Sequence, residues 1–399
     1  MNALLRKHSA TSIALLIATF VCMSALPLSA KAQSLEVSGW IPYWASKSGA
    51  NAAIKNMDAF TEINPFAYSV TSKGTLSDTM KLTKSEWKKL FRAAEREDVR
   101  IIPTVMWSDR ANIDRILRDP ALRAAHVKAI VAEIEKKDFD GVDIDYENKS
   151  ADTRPYFSLF LKDLKAALKG KMLACTIEAR TPPDSLYRVV PANIEYANDY
   201  KEINKHCDRV RLMAYDQQTA DWKLNQAAKG PYAPLSDVAW AKKVIDLAAK
   251  DISKDKLVLG IPTYGHEYEI TVNPSGTFGY KKLWAFNPKY ATDLAKKQKL
   301  TPVRASSGEL SFAYIPKTST AYRSKQAVSS GTTTSAERAI AQAQAYAKAT
   351  GTSTTINMLW WSDAGSIERK LDLAAASGLK GVAIFKVDGG ADSKMWRLF

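Results

Sequence analysis

Four carboxylates fall within eight residues of this 399-residue chain, at Asp140, Asp143, Asp145 and Glu147. Apolar residues interleave with the last three at a period of two. A strand sends alternate side chains to opposite faces. Asp143, Asp145 and Glu147 therefore share one face, and Val142, Ile144 and Tyr146 share the other. A row of like charges in a strand is costly. It makes chemical sense where one carboxyl must hold its proton for delivery, as acid-catalysed glycoside cleavage requires. Glu147, at the end of the run, is the candidate general acid. Asp145 lies two residues back, about 7 Å along the strand, and its charge is expected to raise the pKa of Glu147. Asp143 sits one layer deeper, placed to exchange a proton with Asp145. A calcium loop is the competing use of such a run. It fails because Asn148 stands where Gly is needed and no Glu closes the loop.

Such a row must be carried by a sheet. Apolar, strand-like runs recur at 37–43, 62–70, 99–107, 141–147, 172–179, 209–215, 257–264 and 381–387. Amphipathic helical stretches lie between most of them, at 121–137, 156–168, 239–249 and 366–376, the second stopping at Gly170. Eight alternating units predict an α/β fold, a (β/α)8 TIM barrel. An open doubly wound sheet is the alternative, but no Gly-rich phosphate-binding turn supports it. The stretch from Tyr264 to Gly381 is too long for one helix. It predicts an insertion between strand 7 and strand 8, at 266–356, on the barrel face where chemistry occurs. Within it, 329–335 reads as a loop and 336–349 as a helix.

Residues 1–32 read as a cleavable secretory signal. Arg6 and Lys7 form the basic start, 13–23 the apolar core, and Ala30-Lys31-Ala32 a small-x-small site with cleavage near Ala32–Gln33. The apolar run is shorter than the ~20 residues that span a bilayer. No stable membrane anchor is expected, a retained anchor being the alternative, and Val21 is too large for Cys22 to be a lipidation site. Residues 33–399 are expected to be secreted or periplasmic, as one catalytic barrel and a monomer; no linker divides them. The formal net charge is +15, and loss of Arg6, Lys7 and Lys31 with no acid would leave +12. The basic residues are dispersed, without the compact tract that nucleic-acid binding uses. A solvated lysine-rich surface is the plain reading, attraction to anionic walls or membranes the alternative. Four scattered histidines offer no His-based metal site. Cys175 and Cys207 read as two buried thiols rather than a disulfide.

The run Asp140-Gly141-Val142-Asp143-Ile144-Asp145-Tyr146-Glu147 matches the DxxDxDxE signature of family 18 glycoside hydrolases, which include chitinases. Ser38-Gly39-Trp40-Ile41-Pro42-Tyr43 resembles that family's first strand, Met213-Ala214-Tyr215-Asp216 its sixth and Gly260-Ile261-Pro262-Thr263-Tyr264-Gly265 its seventh. Trp361-Ser362-Asp363-Ala364-Gly365-Ser366-Ile367 and Lys370 resemble the segment leading into its last helix. The resemblance implies retaining, substrate-assisted catalysis without metal or organic cofactor, an exception to the two-carboxylate scheme. Glu147 would protonate the glycosidic oxygen while the substrate's 2-acetamido oxygen attacks the anomeric carbon. Asp145 would orient that acetamido group, Tyr215 would hydrogen-bond to it, and Asp216 would help position it. Met213 and Tyr264 would shape the pocket. Trp40, Tyr43 and Trp107, with Trp44, Tyr68 and Trp361, lie near strand ends, where rings can stack on sugars or pack in the core.

Phe385 stands where the family usually has a Trp beneath the reacting sugar, and Tyr146 replaces an outward Trp. Arg211 shares the inward face of Met213 and Tyr215, and a buried unpaired guanidinium is very costly. It is expected to pair with Glu178 or with a carboxylate of strand four. The implied substrate is a GlcNAc-containing polysaccharide or oligosaccharide, chitin or chitooligosaccharides first. A peptidoglycan N-acetylglucosaminidase, an N-glycan endoglycosidase and a catalytically silent, lectin-like GlcNAc binder are the alternatives. The presence of Glu147 argues against the last.

Overall fold

Short apolar runs alternate with amphipathic helices, and the runs pair in parallel, in the order of the chain. The computed structural model describes residues 35–228, 230–323 and 334–399, so the signal segment and its cleavage site lie outside the described residues. Strand β1 is Glu36–Ile41. Strand β2 runs Glu62–Pro65 and continues as Tyr68–Val70. Strand β3 runs Arg100–Ile101 and continues as Thr104–Trp107. Then follow β4 (Gly141–Tyr146), β5 (Met172–Glu178), β6 (Arg209–Met213), β7 (Leu257–Pro262) and β8 (Gly381–Phe385). Each pairs in parallel with the next, and β8 pairs with β1. The sheet thus closes on itself, a TIM barrel.

The helices between the strands follow the periodic stretches closely: Pro120–Lys136, Arg154–Ala167, Val238–Ala248 and Ala364–Ala376. The first begins where the Asp119 carboxylate accepts the free amides of Ala121 and Leu122, with Pro120 at its first position. Phe157, Phe160, Leu161 and Leu164 recur at three- and four-residue spacing on the second and are buried with Val142, Ile144 and Tyr146 of β4. This layer between barrel and helices is the main core. Among the described residues, no helix is long and apolar enough to cross a membrane.

Between β7 and β8 the chain builds a five-stranded antiparallel sheet. Its order is Phe278–Phe286, Gly265–Val272, Thr354–Trp361, Leu310–Tyr314, Val303–Arg304. The helix Ser335–Thr350 packs on it. The inserted layer therefore reaches from Gly265 to Trp361, with most of the loop expected at 329–335 outside the described residues. Its first strand leaves β7 directly, at the end of the barrel that carries the carboxylate row.

Cys175 and Cys207 form a disulfide, with Cα atoms 6.0 Å apart, which corrects the expectation of two free thiols. Cys207 lies just before β6, whose Val210 is the register partner of Cys175 on β5. Parallel pairing, invisible in sequence spacing, brings the two sulfurs together. Replacing both by Ala is expected to lower unfolding free energy by about 3–4 kcal/mol, from the entropy of a 32-residue separation. Urea unfolding measures it; a loss below about 1 kcal/mol would show that the bond carries no such stabilisation.

Candidate active site

Register decides what meets inside the barrel. Asp145 of β4 sits level with Thr176 of β5, and Thr176 level with Arg211 of β6. Glu178 of β5 is level with Met213 of β6. One step beyond β4, Glu147 therefore comes out beside Glu178 at the mouth, where both line one cavity. Gly260 on β7 lets the neighbours close in: a Cβ there would lie 2.4 Å from the Leu212 carbonyl oxygen and 2.9 Å from the Tyr215 ring.

At the floor, the Asp143 carboxylate is fully buried and well supplied with donors. It accepts from Trp40 Nε1 (3.0 Å), Thr104 Oγ1 (2.8 Å) and Thr176 Oγ1 (2.8 Å). The Arg211 guanidinium lies 2.7 Å away. Arg211 also bonds to Glu62 of β2, which in turn accepts from Asn64 Nδ2 at 2.6 Å. The expected pairing of Arg211 with a strand-four carboxylate is present. Glu62 was not anticipated, and Glu178 is not a partner. Burial alone would lower the Arg211 pKa, but Glu62 and Asp143 together raise it. Asp143 thus belongs to an ion-pair cluster with Arg211 and Glu62.

Asp145 has a different setting. It is 3 % exposed and its Oδ1 has no hydrogen-bond partner. Burial, then the charges of Glu147 and Asp143, push its pKa well above the ordinary carboxylate range. Burial likewise raises Glu147, followed by the charges of Glu178 and Asp216, while Lys149 opposes them. The like charges of Asp145 and Glu147 act on each other, as their spacing predicts, and Glu178 and Asp216 add further charge that raises Glu147. Lys149 is itself buried, bonded to the Tyr146 carbonyl, with Nζ 4.6 Å from the Phe157 ring centroid. Burial lowers its pKa.

Around this pair stands an aromatic wall. Tyr215 and Phe385 stack with centroids 5.3 Å apart and planes 12° from parallel. Tyr264 meets Phe385 edge-on at 6.0 Å and donates its hydroxyl to Asp216 Oδ1 at 2.7 Å. His266 Nε2 lies 3.4 Å from the same oxygen. Burial holds the His266 pKa down to about 4 against the pull of Asp216. Burial and the nearby carboxylates, Asp145 first, push the Tyr215 phenol well up, so it remains a proton donor at any working pH. Asp216 adopts a left-handed backbone, φ 57°, which turns its side chain toward Tyr264.

Two of the expected sugar-facing aromatics stand elsewhere. Trp40 is 1 % exposed, inside the barrel below Phe385, with its indole N–H on Asp143; it supports the site without facing it. Trp107 lies on the opposite side of β3 from Thr104, which reaches Asp143. It packs on His126 and Tyr146 in the helix layer, so it cannot touch a substrate in the barrel mouth. Tyr43 is exposed at the rim and stacked on Phe66.

Two cavities meet at Asp216. The first, about 530 Å³, holds Glu147, Glu178, Met213, Tyr215 and Asn198 in its walls. The second, about 510 Å³, is walled by Trp44, Tyr264, His266, Phe385 and Lys386. Asn198 and Lys386 escaped the sequence reading. Neither lies in a motif, and only folding brings them to the mouth.

The chain matches the model of "Glycosyl hydrolases family 18" over residues 39–390. It is 23% identical over 206 residues to an uncharacterized glycosylase, YvbX, of Bacillus subtilis, covering 51% of this chain and 54% of that one. The chain thus spans about half the length of this curated relative. Among solved structures, a class V chitinase of Pseudomonas fluorescens superposes with TM-score 0.67 at 20% identity, covering 92% of this chain and 98% of the other. The spore cortex-lytic enzyme SleL of Bacillus cereus superposes with TM-score 0.66 at 20% identity, covering 92% and 74%. With its carboxylate row at the mouth of a TIM barrel and a family match across nearly the whole described chain, this protein belongs to family 18 of the glycosyl hydrolases.

Proposed function

We propose that this chain is an exported retaining glycoside hydrolase that cleaves β-1,4-linked N-acetylglucosamine glycans, chitin or chitooligosaccharides, with Glu147 as general acid. The observation that carries the reading is the Asp145–Glu147 pair, two carboxyls of raised pKa with Glu147 in the wall of a cavity that meets a second one at Asp216. Glu147 donates to the leaving oxygen. The reacting sugar stacks on Phe385, and its acetamido oxygen closes on the anomeric carbon to give an oxazolinium ion. Asp145 Oδ1, buried without a partner, is the acceptor left open for the acetamido N–H, and Tyr215 donates to the acetamido oxygen. Water then opens the oxazolinium from the same face, with Glu147 as base. The disulfide supports export, since such bonds persist in oxidising compartments.

Tyr215→Phe keeps the stacked ring and removes the donor; kcat is expected to fall about 10²-fold with KM little changed. Steady-state kinetics on chitotetraose would show it, and an effect confined to KM would contradict the role.

The reading itself is tested by incubating residues 33–399 with chitotetraose and, separately, with purified peptidoglycan. Product masses identify the cleaved bond, and proton NMR identifies the first anomer. Cleavage of chitotetraose with β-anomer first supports the proposal. Cleavage of peptidoglycan alone would move the substrate to wall glycans on the same mechanism. α-Anomer first, or binding of both glycans without cleavage, would overturn it.

A further inference from the structure

We propose that the cavity beside Glu147 selects a hexosamine with a free, protonated 2-amino group as the leaving sugar, and that Glu178 is the selecting residue. The inference rests on the glycosidase reading, in which Phe385 underlies the reacting sugar. Phe385 lines the second cavity and Glu147 the first, where Tyr215 and Met213 also stand. The first therefore runs from the reacting sugar's acetamido group past the acid, and its walls beyond the acid, with Glu178, Glu195 and Asn198, are the leaving-group side.

That side is negative. Its walls carry Glu178, Glu195 and Asp216 besides the acid itself, against one cation, Arg180. Among the described residues, neither Glu178 nor Glu195 makes an ion pair. Glu178 is held rather than neutralised: its Oε1 accepts the Asn148 amide at 3.2 Å and its Oε2 accepts Asn198 Nδ2 at 2.8 Å. The nearby cations feel the charge of Glu178 but are held by other groups. Arg180 is clamped between the Tyr196 and Tyr200 rings, 3.9 and 3.8 Å from their centroids, and donates to the Asn198 carbonyl. Lys149 is turned to the Tyr146 carbonyl and the Phe157 ring.

Asn198 gives a second, independent pointer. It lines this cavity at 6 % exposure, and its Oδ1 has no hydrogen-bond partner. An open acceptor beside a fixed carboxylate suits a ligand that brings several donors. An ammonium brings three and an acetamido group one. The opposite cavity differs: Lys282 and Lys386 balance Asp216 and Asp388 there. The bias is thus confined to the leaving side, where the mechanism does not need the acetamido group. The same charges disfavour a leaving sugar that carries a carboxylate.

The test is a digest of partially de-N-acetylated chitin oligosaccharides by wild type, Glu178→Gln and Glu195→Gln, with fully acetylated chitotetraose in parallel. Ends of the products are sequenced by mass spectrometry after reducing-end labelling. In wild type, glucosamine at new non-reducing ends is expected about fivefold above its share in the substrate, the size of one partly exposed ion pair. New reducing ends should be acetylated throughout. The enrichment should fall toward onefold in Glu178→Gln, fall partly in Glu195→Gln, and weaken with added salt. Ends are compared within one digest, so a slower variant still reports. Chitotetraose cleavage without enrichment, or enrichment unchanged in both variants, overturns the selection alone. Failure to cleave chitotetraose or the mixed oligosaccharides overturns the chitin-glycan reading and this proposal with it.

Discussion

Glu147→Gln is expected to lower kcat on chitotetraose about 10³-fold, the usual range for loss of a general acid. The amide keeps the shape and loses the proton, so KM should change little. The wild-type pH profile carries a second signature. Glu147 must be protonated to act, and burial with Glu178 and Asp216 raises its pKa. The alkaline limb should therefore lie above the ordinary carboxyl range, near 4.3. Activity is lost as pH rises through the raised value. Glu178→Gln removes one raising charge and should move that limb toward acid. An alkaline limb that stays in place in that variant would show that Glu178 does not act on the acid. Retention of more than about a tenth of wild-type kcat by Glu147→Gln would remove Glu147 from the role.

The other large effect is on stability. Arg211→Met leaves Asp143 and Glu62 facing each other across a dry interior without their shared cation. Breaking a buried pair by removing one partner costs about 3–5 kcal/mol. Arg211 is 1 % exposed, Asp143 0 % and Glu62 2 %, so solvent screening gives little relief. Asp143 would keep its bonds from Trp40, Thr104 and Thr176, and Glu62 its bond from Asn64. Urea unfolding of both proteins at neutral pH measures this. A deficit below about 1 kcal/mol at neutral pH would show that the cluster tolerates an unbalanced charge.

The carboxylate-bearing strand was readable because it is local. Its carboxylates alternate with apolar residues inside a single element, so the period alone assigns Asp143, Asp145 and Glu147 to one face. Arg211 could be flagged for the same reason, as a charge on an inward face. Its second partner could not: Glu62 lies 149 residues away in the chain, and β2 and β6 meet only through the hollow of the barrel. Trp107 shows the limit of periodicity. Both faces of β3 are buried, one in the barrel and one under the helices, so an aromatic at its end fits either. Trp40 faces inward as its strand suggests, yet one layer too deep to meet a sugar.

By itself, the sequence determined the repeating strand–helix order, the acid-bearing row and the position of the inserted layer, because each is encoded in contiguous spacing that backbone geometry converts directly into faces and elements. Tertiary structure alone decided the Cys175–Cys207 bond, the Glu62–Arg211–Asp143 cluster, and the placing of Glu178 beside Glu147 as a further charge that raises its pKa. These depend on strand register and barrel closure, which bring residues from distant segments into one low-dielectric space where burial and neighbouring charge set every protonation state.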